Sequence, residues 1–78
     1  MKNFKHIVAN KLILGGKPII KGTRICVELI LEWLGSGGTV ESIIEKYPHV
    51  SREAINEALL YASEALKNEI VIEIDSAA

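Results

Sequence analysis

The chain has 78 residues, one cysteine and a formal net charge of −1. That length holds one core, because cores below about 50 residues rarely fold alone, so residues 1–78 are read as a single domain. A lone cysteine excludes an internal disulfide, the opening Met1-Lys2-Asn3-Phe4-Lys5-His6 lacks a signal peptide's apolar run, and no stretch approaches the ~20 apolar residues of a membrane helix, so a cytoplasmic protein away from membranes is expected.

Residues 1–24 carry six cations and no acid, whereas the rest carry Lys46, Arg52 and Lys67 against all ten acids. Such a split fits a basic arm that meets polyanion beside an acidic body, and it fits equally two ends that attract one another. A small domain buries only about 60% of its unfolded surface, so a chain with few aromatics is expected to complete its core as a homodimer.

In chain order, Lys11–Leu14 and Pro18–Ile20 are expected as short strands around Gly15-Gly16, forming a hairpin over residues 11–25. Pro18, which cannot donate a ladder hydrogen bond, places its strand at a sheet edge. Gly22-Thr23 then turns the chain into a first helix at about residues 27–35. Its stripe Val27, Ile30, Leu31, Leu34 follows helical spacing, and Cys26, Leu29 and Trp33 make a second stripe, read as a protein interface.

Gly35-Ser36-Gly37-Gly38 ends that helix, and Thr39 caps a second one, residues 39–47, with Val40, Ile43, Ile44 and Tyr47 inward. Pro48 stops it. Ser51 caps the third and longest helix, residues 51–68, with Ile55, Ala58, Leu59, Ala62 and Leu66 inward. Beyond it, residues 70–74 are β-branched and partly alternating. They are expected as a strand that joins the hairpin of this or a second subunit, with Ile70, Ile72 and Ile74 as interface positions.

The second helix, the Tyr47-Pro48-His49-Val50 turn and the third helix have the arrangement of a helix-turn-helix, although helical hairpins of this size also occur in small bundles that never touch DNA. On the third helix Arg52, Asn56, Ser63 and Lys67 share one polar edge, and Glu53, Glu57 and Glu64 the next. Arg grips guanine and Asn adenine through paired hydrogen bonds, so Arg52 and Asn56 are candidate base contacts, with Lys67 beside them. The glutamates oppose this, since carboxylates are repelled by phosphates. Affinity for DNA would have to come largely from Lys17, Lys21 and Arg24, with Lys2, Lys5 and Lys11 before them.

Catalysis finds little support. His6 and His49 lack a metal-ligand spacing to Cys26 or to one another, and the order Lys21-Gly22-Thr23 breaks the pattern of a phosphate loop. No cofactor, metal or small-molecule substrate is expected. Cys26, on an apolar face at a helix start, reads as a structural thiol with no base nearby.

The run Leu14-Gly15-Gly16-Lys17-Pro18-Ile19-Ile20-Lys21-Gly22-Thr23-Arg24-Ile25, then Val27-Glu28-Leu29-Ile30-Leu31, Glu45-Lys46-Tyr47-Pro48 and Ile55-Asn56-Glu57-Ala58-Leu59-Leu60-Tyr61-Ala62, resembles the family of unknown function DUF433. The resemblance implies a mostly α fold: a short N-terminal β-hairpin before a three-helix, homeodomain-like bundle. It also implies a VapB-like antitoxin that represses its own operator DNA and holds a PIN-type ribonuclease toxin. Gly15, Gly16, Pro18, Gly22, Thr23 and Arg24 are the positions it marks as shaping the hairpin. The two functional readings are therefore a DNA-binding antitoxin or regulator and a dimeric interaction module without DNA.

Overall fold

The computed structural model describes residues 4–67. Two short strands, β1 (Ile7–Ala9) and β2 (Pro18–Ile20), precede three helices, α1 (Val27–Gly35), α2 (Val40–Lys46) and α3 (Arg52–Leu66). The expected architecture, a hairpin ahead of a three-helix bundle, is what forms. The terminal strand expected at residues 70–74, with Ile70, Ile72 and Ile74, lies outside the described residues.

The first strand is Ile7–Ala9 and not Lys11–Leu14. The cause is local. The Asn10 side chain accepts from the backbone N–H of Leu12 and its carbonyl from that of Ile13, so the chain turns at once, leaving Leu12 90% exposed. Leu14, Gly15 and Gly16 then all take positive φ, at 50°, 68° and 88°, which no strand tolerates. Pairing Ile7 with Ile20 instead buries both isoleucines.

The register also explains Pro18. Lys21 N–H donates to His6 O, which makes the Val8–Ile19 pair hydrogen-bonded and turns the backbone of Pro18 and Ile20 away from β1. Pro18 therefore forfeits no ladder bond, while Ile20 N–H, pointing the same way, donates to Ile25 O at 2.9 Å.

Two of the three helices begin at a capping side chain, while α1 starts at Cys26 without one. Thr39 and Ser42 form a reciprocal capping box on α2, and the Ser51 hydroxyl accepts from Ala54 N–H on α3. The three helices meet through one isoleucine each: Ile30, Ile43 and Ile55 are at most 1% exposed. Ala54, Ala58 and Ala62 on α3 let the other elements approach closely, and Ile7, Ile20, Ile25 and Val50 close the core. Leu31 and Leu66, expected inward, are 37% and 51% exposed. They face a groove between α1 and the last turns of α3 that no described residue fills.

The hairpin is held on α3 by a clamp that spacing alone does not announce. The Glu57 carboxylate accepts from the His6 backbone N–H at 2.7 Å and meets His6 Nδ1 at 2.5 Å, while the Phe4 ring stands edge-on to Tyr61. The backbone contact first, and the imidazole contact second, hold the Glu57 carboxyl below its ordinary value of 4.5. A depressed carboxyl contributes stability above its unfolded value and loses it as pH falls through the folded one. Glu57→Gln should therefore lower the melting temperature at pH 7, with the gap to the parent chain closing below about pH 4. A gap that stays constant from pH 7 to 3 would refute the clamp. Ile43→Ala, which opens a cavity where the three helices meet, should cost about 2–5 kcal/mol in urea denaturation without changing the m-value.

Candidate functional site

The turn between β2 and α1 is built to display charge. Gly22 takes φ 80°, and Thr23 Oγ1 donates to Ile20 O and accepts from Ile25 N–H, a closure that leaves Lys21 and Arg24 exposed on the outside of the loop. Neither cation has an acidic partner among the described residues. Lys17, three residues before Ile20, is exposed too but lies 3.2 Å from Glu28 in the first turn of α1.

The second part of the site is the outer edge of α3. Arg52 and Asn56 are exposed, one turn apart, behind a Tyr47–Val50 turn whose Val50 is buried. The Arg52 guanidinium reaches back to the Glu41 carboxylate of α2 at 2.5 Å and, chiefly through that hydrogen bond, holds the Glu41 carboxyl below its ordinary range. Lys67, at the far end of the edge, contacts Glu64 at 3.1 Å. Pairs this open to water hold their partners weakly and exchange them readily.

The loop is tied to α3, on a different strip of the helix from the Arg52–Asn56 edge. Lys21 N–H donates to His6 O, His6 grips Glu57, and Glu57 adjoins Asn56 at about 100° round the helix. The structure thus brings Lys21 and Arg24 onto one loop and Arg52 and Asn56 onto one helix edge, and ties the loop to α3 at Glu57, about 140° round the helix from Arg52. Lys17 and Lys67 sit at the periphery, each beside a carboxylate.

Cys26, Leu29 and Trp33, read as one interface stripe, have separate environments. Cys26 takes the N-cap position of α1, half-buried and bridged to Ile19. Leu29 and Trp33 pack on their own core. The Trp33 indole N–H donates to Ser42 Oγ at 2.8 Å, and its ring stands edge-on to Tyr47. Gly38 makes room for it, since a Cβ there would come within 2.3 Å of the indole. The sequence signal for this was available in part: a serine three residues after an N-cap, with glycine just before that cap.

His6 and Glu57 are the pair that spacing failed to bring together, because they are 51 residues apart. Among the described residues no three of His, Cys, Asp and Glu gather as a metal ion would need, and no described helix is long and apolar enough to cross a membrane.

The model of the family described as "Protein of unknown function (DUF433)" matches residues 7–62, from the start of β1 to Ala62 on α3. A curated relative, "Uncharacterized protein y4eO" of Sinorhizobium fredii (strain NBRC 101917 / NGR234), is 38% identical over 50 residues, which cover 64% of this chain. The chain spans about a quarter of that relative's length, the match covering 23% of it. No solved structure matches. The family match takes in the whole hairpin, both linking turns and the helical core, and the chain belongs to the DUF433 family.

Proposed function

We propose that this chain is a DNA-binding regulator of the antitoxin kind, without catalysis of its own, in which α3 approaches the major groove and the loop carrying Lys21 and Arg24 meets the backbone. The observation that carries this reading is the exposed pair Arg52 and Asn56 on the first two turns of a helix whose other side carries the buried Ala54, Ile55 and Ala58. A recognition helix needs both properties: a rigid seat and long polar side chains near its start. Lys21 and Arg24, exposed on a loop that His6 and Glu57 tie to the same helix, are the cations this reading gives to the phosphate backbone. In the antitoxin form of this reading the chain acts as a homodimer on operator DNA and holds a PIN-type ribonuclease toxin.

A second reading, a protein-interaction module without DNA, is favoured by Leu60. It is 53% exposed and lies one turn after Asn56 on the outer strip of α3. An exposed leucine at the middle of a polar strip suits a protein contact better than a phosphate backbone.

Fluorescence anisotropy with the DNA upstream of its own gene separates the two. Contact through Lys5, Lys11, Lys17, Lys21 and Arg24 should give a log–log salt slope of about −4.5. Removing Lys21 or Arg24 should flatten that slope by about 0.9 each, whereas Arg52→Ala should cost about 1–3 kcal/mol and relax sequence preference. Leu60→Lys should tighten DNA binding if the strip faces nucleic acid, and abolish self-association if it faces protein. An affinity indifferent to salt leaves the DNA reading without support.

A further inference from the structure

The groove between α1 and α3 has Leu31 on one wall, Tyr61, Ala65 and Leu66 on the other, and Pro18 at one mouth. Its volume is about 180 Å³. Pockets for small molecules run to roughly 300–1,000 Å³, while a cavity of about 150 Å³ takes one benzene-sized group. The space therefore suits one or two aliphatic side chains, not a metabolite. Its walls are nearly all apolar, with Glu28 the exception, so the occupant must be apolar where it enters.

The chain itself continues past this groove. Leu66, which forms one end of it, is followed by Lys67-Asn68-Glu69 and then by Ile70-Val71-Ile72-Glu73-Ile74. In extended form, side chains at Ile70, Ile72 and Ile74 fall on one side at intervals of about 6.6 Å, a spacing that lets two of them enter a groove of this size together. Reversal over three residues matches the length of short helix connections, and so short a tether gives the chain's own segment a local concentration in the millimolar range, above that of any second copy.

We propose that residues 70–74 of the same chain dock in this groove, with Ile72 as the central anchor between Leu31 and Leu66. The segment covers apolar surface that the described residues leave open, and it does so on the far side of α1 from Trp33 and Ser42. The outer edge of β2 is a poorer seat, because Pro18 offers no N–H there and Ile25 already accepts from Ile20.

The test uses the full chain with Cys26→Ser, carrying Leu31→Cys and Ile72→Cys, oxidised at micromolar concentration. Leu31 is exposed enough for the change to be tolerated. A disulfide needs Cα atoms about 4.4–6.8 Å apart, so docking should give an intramolecular bond, read as a faster monomer on a non-reducing gel with a mass loss of two hydrogens. The matched chain with Val8→Cys and Ile72→Cys should stay reduced. A covalent dimer would assign the groove to a second copy, a bond from position 8 would place the segment on the hairpin, and two free thiols would mean no docking; each overturns the proposal. Independently, a chain ending at Asn68 should melt about 5–15 °C lower and bind more of an apolar dye. An unchanged melting temperature counts against it equally.

Discussion

The buried cluster to which Ile30, Ile43 and Ile55 contribute, one from each helix and all sealed from water, is what the remaining structure depends on. None of the three helices can stand alone. At 9, 7 and 15 residues they lie at or below the length at which isolated helices are marginal in water. A hairpin with three residues per strand is weaker still, since two-stranded sheets need a surface to lie on. The isoleucines supply that surface, and the alanines of α3 let Ile7 and Ile20 descend onto it.

From this follows the distribution of charge. With the buried positions occupied by aliphatic groups, every ionisable side chain is pushed outward, and no buried polar residue is found among the described residues. The opposite charges of the two ends of the chain then meet partly within one molecule. Lys17 pairs with Glu28 across the boundary at Arg24, and His6 is hydrogen-bonded to Glu57 across it. The hairpin is thus held by electrostatic contacts at its margin as well as by isoleucines beneath, and it remains basic where Lys21 and Arg24 project from the Gly22 turn.

What the amino-acid pattern disclosed was local. Thr39 and Ser51 as caps, Pro48 as a stop and the Ile43 and Ile55 faces follow from interactions within a few residues, and all are seen. The first strand was misplaced because Lys11–Leu14 has the composition of a strand, while the decision lies in the Asn10 turn and the positive φ of Leu14. Trp33 was grouped with Cys26 and Leu29 by helical spacing, but its position was decided by Ser42 and by the missing Cβ of Gly38. Leu31 and Leu66 satisfy the spacing of inward residues without being covered, since spacing names a face and not what lies opposite it. For the candidate site, Arg52, Asn56, Lys21 and Arg24 were legible as exposed polar groups. The tie between loop and helix was not, because it runs through a His6–Glu57 contact between distant parts of the chain.

That same contact alters the electrostatic objection to nucleic acid at α3. Counted along the helix, Glu53, Glu57 and Glu64 form an acidic edge that would repel phosphates. In the folded chain Glu57 is committed to His6, with its carboxylate turned to the hairpin, and Glu64 is engaged with Lys67. The Glu57 charge remains, turned toward the hairpin, and Glu53 stays on the edge. The cost falls on the other side, because Arg52 is drawn to Glu41 and must release it to reach a base. The Arg52–Glu41 pair is open to water, where counterions and phosphates compete on equal terms with a carboxylate. The balance at this surface therefore turns on cations that no carboxylate of the described residues holds, Lys21 and Arg24 among them, and on how near the Gly22 turn brings those two to the edge that carries Asn56.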